Sequence, residues 1–153
     1  MFQGHSICSL DAKSRLILPA KFRKYIKPEA GNKLVLTKGM DECIVAYPQD
    51  EWEKLKSSML RFNQFNAEDR YFLRIFLEFA NECELDSQNR ILIPQQLIEI
   101  SGLKKEVIVL GVLDKIEIWD PERKSRYDKS MPSTYEEIAQ KVSQNINTNG
   151  RDS

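Results

Sequence analysis

Apolar residues alternate with polar ones along short stretches of this chain and recur at three- and four-residue spacing along longer ones, so it encodes both strands and helices. The sharpest pattern occurs twice. Leu10-Asp11-Ala12-Lys13-Ser14-Arg15-Leu16-Ile17-Leu18-Pro19 returns as Leu85-Asp86-Ser87-Gln88-Asn89-Arg90-Ile91-Leu92-Ile93-Pro94, 75 positions later. Polar and small residues between apolar ends predict a turn. The apolar triplet predicts a short buried strand, which proline, having no amide proton for a sheet, brings to an end. One structural unit used twice is the reading that follows.

In the first repeat the pattern predicts a strand at Ser6–Leu10, the turn, and a strand at Leu16–Leu18. A short helix over Ala20–Lys27 comes next, with Pro19 at its first position, Phe22, Tyr25 and Ile26 on one face, and Pro28 and Gly31 closing it. Lys33–Thr37 and Cys43–Tyr47 form a hairpin about a turn at Gly39–Glu42, ended by Pro48. Two helices follow. One runs from about Pro48 to Arg61, with Trp52, Leu55, Met59 and Phe62 inward. The other opens at Asn66 as N-cap, with Glu68 and Asp69 near the positive end of the helix dipole. Its apolar stripe of Phe72, Ile75, Phe76 and Phe79 is widened by Leu73, Leu77 and Ala80. So broad a face must be covered on more than one side, by packing between the halves or by another subunit.

The second repeat predicts the same plan: Glu82–Leu85, the turn, Ile91–Ile93, a helix over Gln95–Ser101 closed by Gly102, and a hairpin of Val107–Leu110 with Ile116–Trp119 across Val112–Lys115. Pro121 stands 73 positions after Pro48, so the register holds to within two residues. Beyond it, Ser133-Thr134-Tyr135-Glu136 predicts a capping box and a helix carrying Ile138, Val142 and Ile146. Asn147 to Ser153 is polar and is expected to fray.

Composition adds a charge asymmetry. The 41% hydrophobic and 30% charged content is that of a soluble protein, and formal net charge is zero. Positions 1–39, however, hold eight basic residues against Asp11 and Glu29, a balance of +6, and positions 40–153 hold fifteen against twenty-one, or −6. A chain so polarised can present a basic face to phosphate. No apolar run reaches the roughly 20 residues that span a bilayer, and the start lacks a signal peptide's basic and apolar regions, so a cytosolic protein is expected. Cys8, Cys43 and Cys83 are too few and too scattered for a disulfide framework or a metal pair.

The candidate chemistry lies in the repeated turn. Aspartate there can accept backbone N–H bonds and hold its shape. The arginine either folds back on it or faces a polyanion, where its planar fork meets phosphate or a guanine edge with two bonds. Lys13, Lys21 and Arg23 are expected to join Arg15 there. The second copy has Gln88 where the first has Lys13, so the first is expected to bind and the second to be mainly structural.

Leu-Asp-Ala-Lys-x-Arg-Leu-x-x-Pro-Ala-x-Phe-Arg near a Met-Phe-x-Gly start, the second Leu-Asp-x-x-x-Arg-Ile-x-Ile-Pro, and Gly111 followed by Asp114-x-Ile116-Glu117-Ile118-Trp119 together resemble the MraZ family of bacterial transcriptional regulators, over about residues 1–128. The resemblance implies an α+β fold: two tandem AbrB-like swapped-hairpin β-barrel halves with pseudo-two-fold symmetry, flanked by helices. Expected boundaries are 5–50 and 81–124 for the two halves, 51–80 for connecting helices and 125–153 for a C-terminal helix and tail. It further implies binding to repeated double-stranded promoter boxes upstream of a division and cell-wall gene cluster, ring-like homo-oligomers and association with the nucleoid. The family's motif falls on Asp11 and Arg15, then on Asp86 and Arg90. The family usually has glycine before each arginine; here Ser14 and Asn89 stand there. The expected DNA-binding set is Lys13, Arg15, Lys21, Arg23 and Arg90, with Asp11 and Asp86 shaping the turns.

Two other functions compete. An antitoxin-like protein-interaction module would use the helix from Ser133 onward. An enzyme would have to work with one histidine, His5, and no glycine-rich phosphate loop or metal-spaced cluster. No cofactor, metal, membrane or small-molecule substrate is expected.

Overall fold

The computed structural model describes residues 1–151, with side chains through residue 147. The chain runs β1 (His5–Ser9), β2 (Arg15–Ile17), α1 (Ala20–Arg23), β3 (Lys33–Lys38), β4 (Ile44–Pro48), α2 (Gln49–Met59), α3 (Ala67–Glu78), β5 (Asn81–Glu84), β6 (Arg90–Leu92), α4 (Gln95–Ser101), β7 (Glu106–Val112), β8 (Lys115–Trp119), α5 (Pro121–Lys129) and α6 (Tyr135–Arg151). The fold is α+β, with one six-stranded antiparallel sheet ordered β1-β7-β8-β4-β3-β5 and a two-stranded antiparallel ribbon of β2 and β6.

Both sheets take strands from both repeats. β1 pairs with β7 through Cys8↔Val107 and Ser9↔Glu106, and β5 pairs with β3 through Cys83↔Leu34 and Glu84↔Lys33. These are the same pairings with the repeats exchanged. The ribbon centres on Leu16↔Ile91, equivalent positions of the two copies. The sheet's strand order therefore reads the same from either edge once the repeats are swapped.

Alternation along the strands separates two cores. Leu34, Leu36, Ile44, Ala46, Ile116 and Ile118 face the ribbon, α1 and α4. Val35, Val45, Tyr47 and Trp119 face the opposite way and meet Trp52 and Met59 of α2 and Phe76 of α3. The broad stripe on α3 is therefore partly core. Phe76 is buried and stacks on Phe72 with ring centroids 5.2 Å apart, whereas Tyr71 and Leu77 stay exposed.

The structure departs from the sequence expectations in several places. The triplet after each turn is not buried whole: Leu16, Leu18, Ile91 and Ile93 point inward, while Ile17 and Leu92 point out. The first short helix stops at Arg23, and a single 3-10 turn, Pro28–Ala30, follows. Pro19 and Pro48 are N-caps rather than first helical residues. The β7–β8 loop is only Leu113 and Asp114. α5 was not anticipated; Asp120 caps it by accepting from Arg123 N at 3.1 Å, and Pro121 occupies its first turn. The last helix is capped one residue later than expected, by Thr134 Oγ1 accepting from Glu137 N at 3.2 Å. It continues to Arg151, through part of the segment expected to fray; residues 152–153 lie outside the described residues.

Candidate nucleic-acid interface

The two turns have the same geometry. Asp11 Oδ1 accepts the backbone N–H groups of Lys13 and Arg15, each at 2.9 Å, and its Oδ2 accepts from Arg15 Nε at 2.7 Å. Asp86 does the same with Gln88 N and Arg90 N at 2.9 Å and Arg90 Nε at 2.8 Å. The residue before each arginine is left-handed, Ser14 at φ 61° and Asn89 at φ 60°. The chain thus reverses tightly enough for one carboxylate to gather three donors from its own loop.

These bonds set the acidity of the two carboxyls. The Arg15 backbone N–H is the main influence holding Asp11 below its ordinary value, with the Arg15 guanidinium and the Lys13 N–H adding to it. Arg90 and Gln88 do the same for Asp86. Both turns are therefore in their paired state at neutral pH.

The aspartates take only Nε of each guanidinium. Among the described residues the Nη groups of Arg15 and Arg90 have no hydrogen-bond partner. Each guanidinium is held through Nε with its Nη groups unbonded, and the side chains are 29% and 22% exposed. The cross-strand pairs Arg15↔Leu92 and Ile17↔Arg90 put all four side chains on the ribbon's outward face.

The structure gathers only part of the expected basic cluster. Lys13 is exposed on the first turn. Lys21 is not near it. Its Nζ donates to His5 O and lies 5.3 Å from the Phe22 ring centroid. His5 and Asp11 are six residues apart on an extended segment, so roughly 20 Å separates them at 3.4 Å per residue. Arg23 is half-buried at the end of α1 with its Nε buried and unpartnered.

In their place come two lysines from the acidic part of the chain. Leu10 N donates to Lys105 O at 2.7 Å, so the β1–β7 pairing brings Lys104 and Lys105 to the first turn. They line one groove with Asp11, Ala12, Ser14 and Gln95. Only the long-range strand register could reveal this. At the second turn, Leu85 N donates to Asn32 O instead, and Lys33 beside it is paired with Glu82 at 3.3 Å. Lys104 is itself paired, with Glu122 at 3.6 Å, so the two turns are alike in shape and the first has Lys13 and Lys105 beside it.

Comparison with known proteins places the sequence in a family. The family profile described as "MraZ protein, putative antitoxin-like" matches residues 1–75 and again 76–149. A protein of Pelotomaculum thermopropionicum named "Transcriptional regulator MraZ" is 43% identical over 142 residues, covering 93% of this chain and 95% of the relative. Proteins of the same name from Natranaerobius thermophilus and Syntrophomonas wolfei are 40% and 42% identical over 142 residues, each covering 93% of this chain and 96% of the relative. With two copies of the family pattern, and relatives this similar along nearly the whole length, the chain belongs to the MraZ family.

Proposed function

We propose that this chain is a sequence-specific DNA-binding transcriptional regulator acting on repeated promoter boxes of its own division and cell-wall gene cluster. The observation that carries the reading is the pair of aspartate-held arginines on the outward face of one two-stranded ribbon. A ribbon of that width enters a major groove, and an arginine fixed through Nε keeps its Nη pair for a guanine edge or a phosphate. Lys13 and Lys105 supply phosphate attraction at the first turn. Lys21, whose Nζ is bonded to His5 O, and Arg23, whose Nε is buried, carry no part of this reading.

The strand exchange between repeats fits two AbrB-like swapped-hairpin β-barrel halves, spanning 5–50 and 81–124, joined by helices over 51–80 and followed by 125–153. One ribbon per chain gives a small contact, so affinity is to be gained by a ring-like homo-oligomer engaging several boxes at once. Such a protein works in the cytoplasm, on the nucleoid.

A gel shift of a promoter fragment carrying the repeated boxes tests the proposal. Arg15→Ala should weaken binding about 10- to 100-fold, as loss of one bidentate base contact does, with oligomer size unchanged. An unaltered shift removes Arg15 from the interface.

The family description favours one further reading, an antitoxin-like module that wraps a protein partner. Tyr135, Val142 and Ile146 of α6 are exposed and would form its contact. Recovery of a stable protein complex by the full chain, together with no DNA affinity at low salt, would establish it.

A further inference from the structure

Ile17 and Leu92 are 61% and 58% exposed, although each sits in an apolar triplet whose other two members are buried. They occupy matching positions of the two repeats and lie on the same outward face as the arginines. The register makes Leu92 the cross-strand neighbour of Arg15, and Ile17 that of Arg90. Two large aliphatic side chains thus stand in water, each beside a guanidinium whose Nη edge is unengaged.

We infer that Ile17 and Leu92 read thymine methyl groups in the major groove, each working with the arginine across the ribbon. The inference rests on the DNA-binding reading above and deepens it. Cross-strand neighbours are about 5 Å apart, and residues two apart on a strand are about 7 Å apart. Four side chains in so small a patch fit inside a groove about 12 Å wide and cover two or three base pairs. The thymine methyl is the one apolar group that base edges present there, and the arginines on either side favour the same groove over a protein surface.

The arrangement also fixes how the contacts are shared. Each reading unit joins an arginine of one repeat to an aliphatic residue of the other. The two units are related by the local two-fold axis at Leu16↔Ile91. Each box should therefore contain a short pseudo-palindromic step, with a guanine and a neighbouring thymine on both strands. Both copies of the motif then take part.

The test measures affinity of the full-length protein for the promoter fragment by fluorescence anisotropy, replacing each thymine in turn by uracil, which lacks only the methyl group. Wild-type protein should lose about four-fold at the box thymines, the value of burying one methyl group. That loss should vanish at one set of thymines in Ile17→Ala and at the two-fold-related set in Leu92→Ala. Both side chains are exposed, so the variants should fold, and circular dichroism checks this. Uracil penalties that are absent, or that persist in both variants, overturn the inference. So do variants that change assembly size by light scattering while leaving the uracil pattern alone, since the pair would then be a contact between copies. In either case loss of binding in Arg15→Ala and Arg90→Ala leaves the DNA-binding reading standing. Wild-type affinity in both arginine variants overturns that reading as well.

Discussion

Ser14 holds a backbone conformation that costs a residue with a β-carbon about 1–2 kcal/mol. It is accepted because the reversal lets Asp11 collect the N–H groups of Lys13 and Arg15 and the Arg15 guanidinium. Ser14→Gly should relieve that cost, less roughly 0.5–1 kcal/mol for glycine's greater freedom when unfolded. The net should raise Tm by about 1–4 °C in a chain of this size, measured by thermal unfolding. Asn89→Gly should change Tm less, because asparagine visits the left-handed region more readily. Acidity is set at the same scale. A carboxyl held below its ordinary value contributes to folding above that value, and the contribution is lost as pH falls through the lowered one. Asp11 and Asp86 should therefore titrate below 3.8 by NMR, and both turns should stay intact from neutral pH down to the ordinary carboxylate range. In Arg15→Ala the Asp11 midpoint should rise only part of the way, because the backbone N–H of residue 15 is the largest influence and remains. A full return to the ordinary value would assign the shift to the guanidinium instead.

At the scale of elements, the chain's start is laid over the β7–β8 hairpin. Phe2 N donates to Leu113 O at 2.7 Å, Leu113 N returns a bond to Phe2 O at 2.9 Å, and Gly111 N donates to Gly4 O at 2.8 Å. A β-carbon on residue 111 would come 2.3 Å from Gln3 N, a backbone atom that cannot swing aside. Gly111→Ala should therefore destabilise the protein by about 1–3 kcal/mol, as overpacking does, read as a lower midpoint in urea. An unchanged midpoint would mean the N-terminal segment lifts away at little cost. α5 is fastened by side chains instead. Arg123 Nη1 donates to Ile100 O at 2.9 Å, and Tyr127 Oη donates to Asp41 Oδ1 at 2.5 Å, tying it to the β3–β4 turn. Its own sequence has too little apolar periodicity to announce a helix: none of its residues is fully buried. The anchors lie in distant segments.

For the whole molecule, the exchange of strands decides what can fold. Within residues 1–80, β1 and β2 have no partners, since β7 and β6 lie in the other repeat. A separately expressed fragment of residues 1–80 should be unfolded, or should pair with a second copy through the equivalent register and run at twice its monomer mass. Size-exclusion chromatography with light scattering distinguishes these outcomes, and a stable folded monomer contradicts the account. The same exchange builds the candidate interface: it sets Arg15 beside Leu92, carries Lys104 and Lys105 to the first turn, and leaves Lys21 at the far end of β1.

The sequence by itself determined the doubled unit, the turns with their aspartates and arginines, the hairpins and most of the helices. Each depends on residues close along the chain, where alternation, capping and turn chemistry act directly. It also carried the family likeness, because the motif is a run of neighbours. Only the tertiary structure decided which strands pair, which apolar residue of each triplet faces water, and which lysines surround a turn. Those outcomes rest on contacts between residues some 45 to 105 positions apart. Their register follows from closing two cores at once, which no local pattern records.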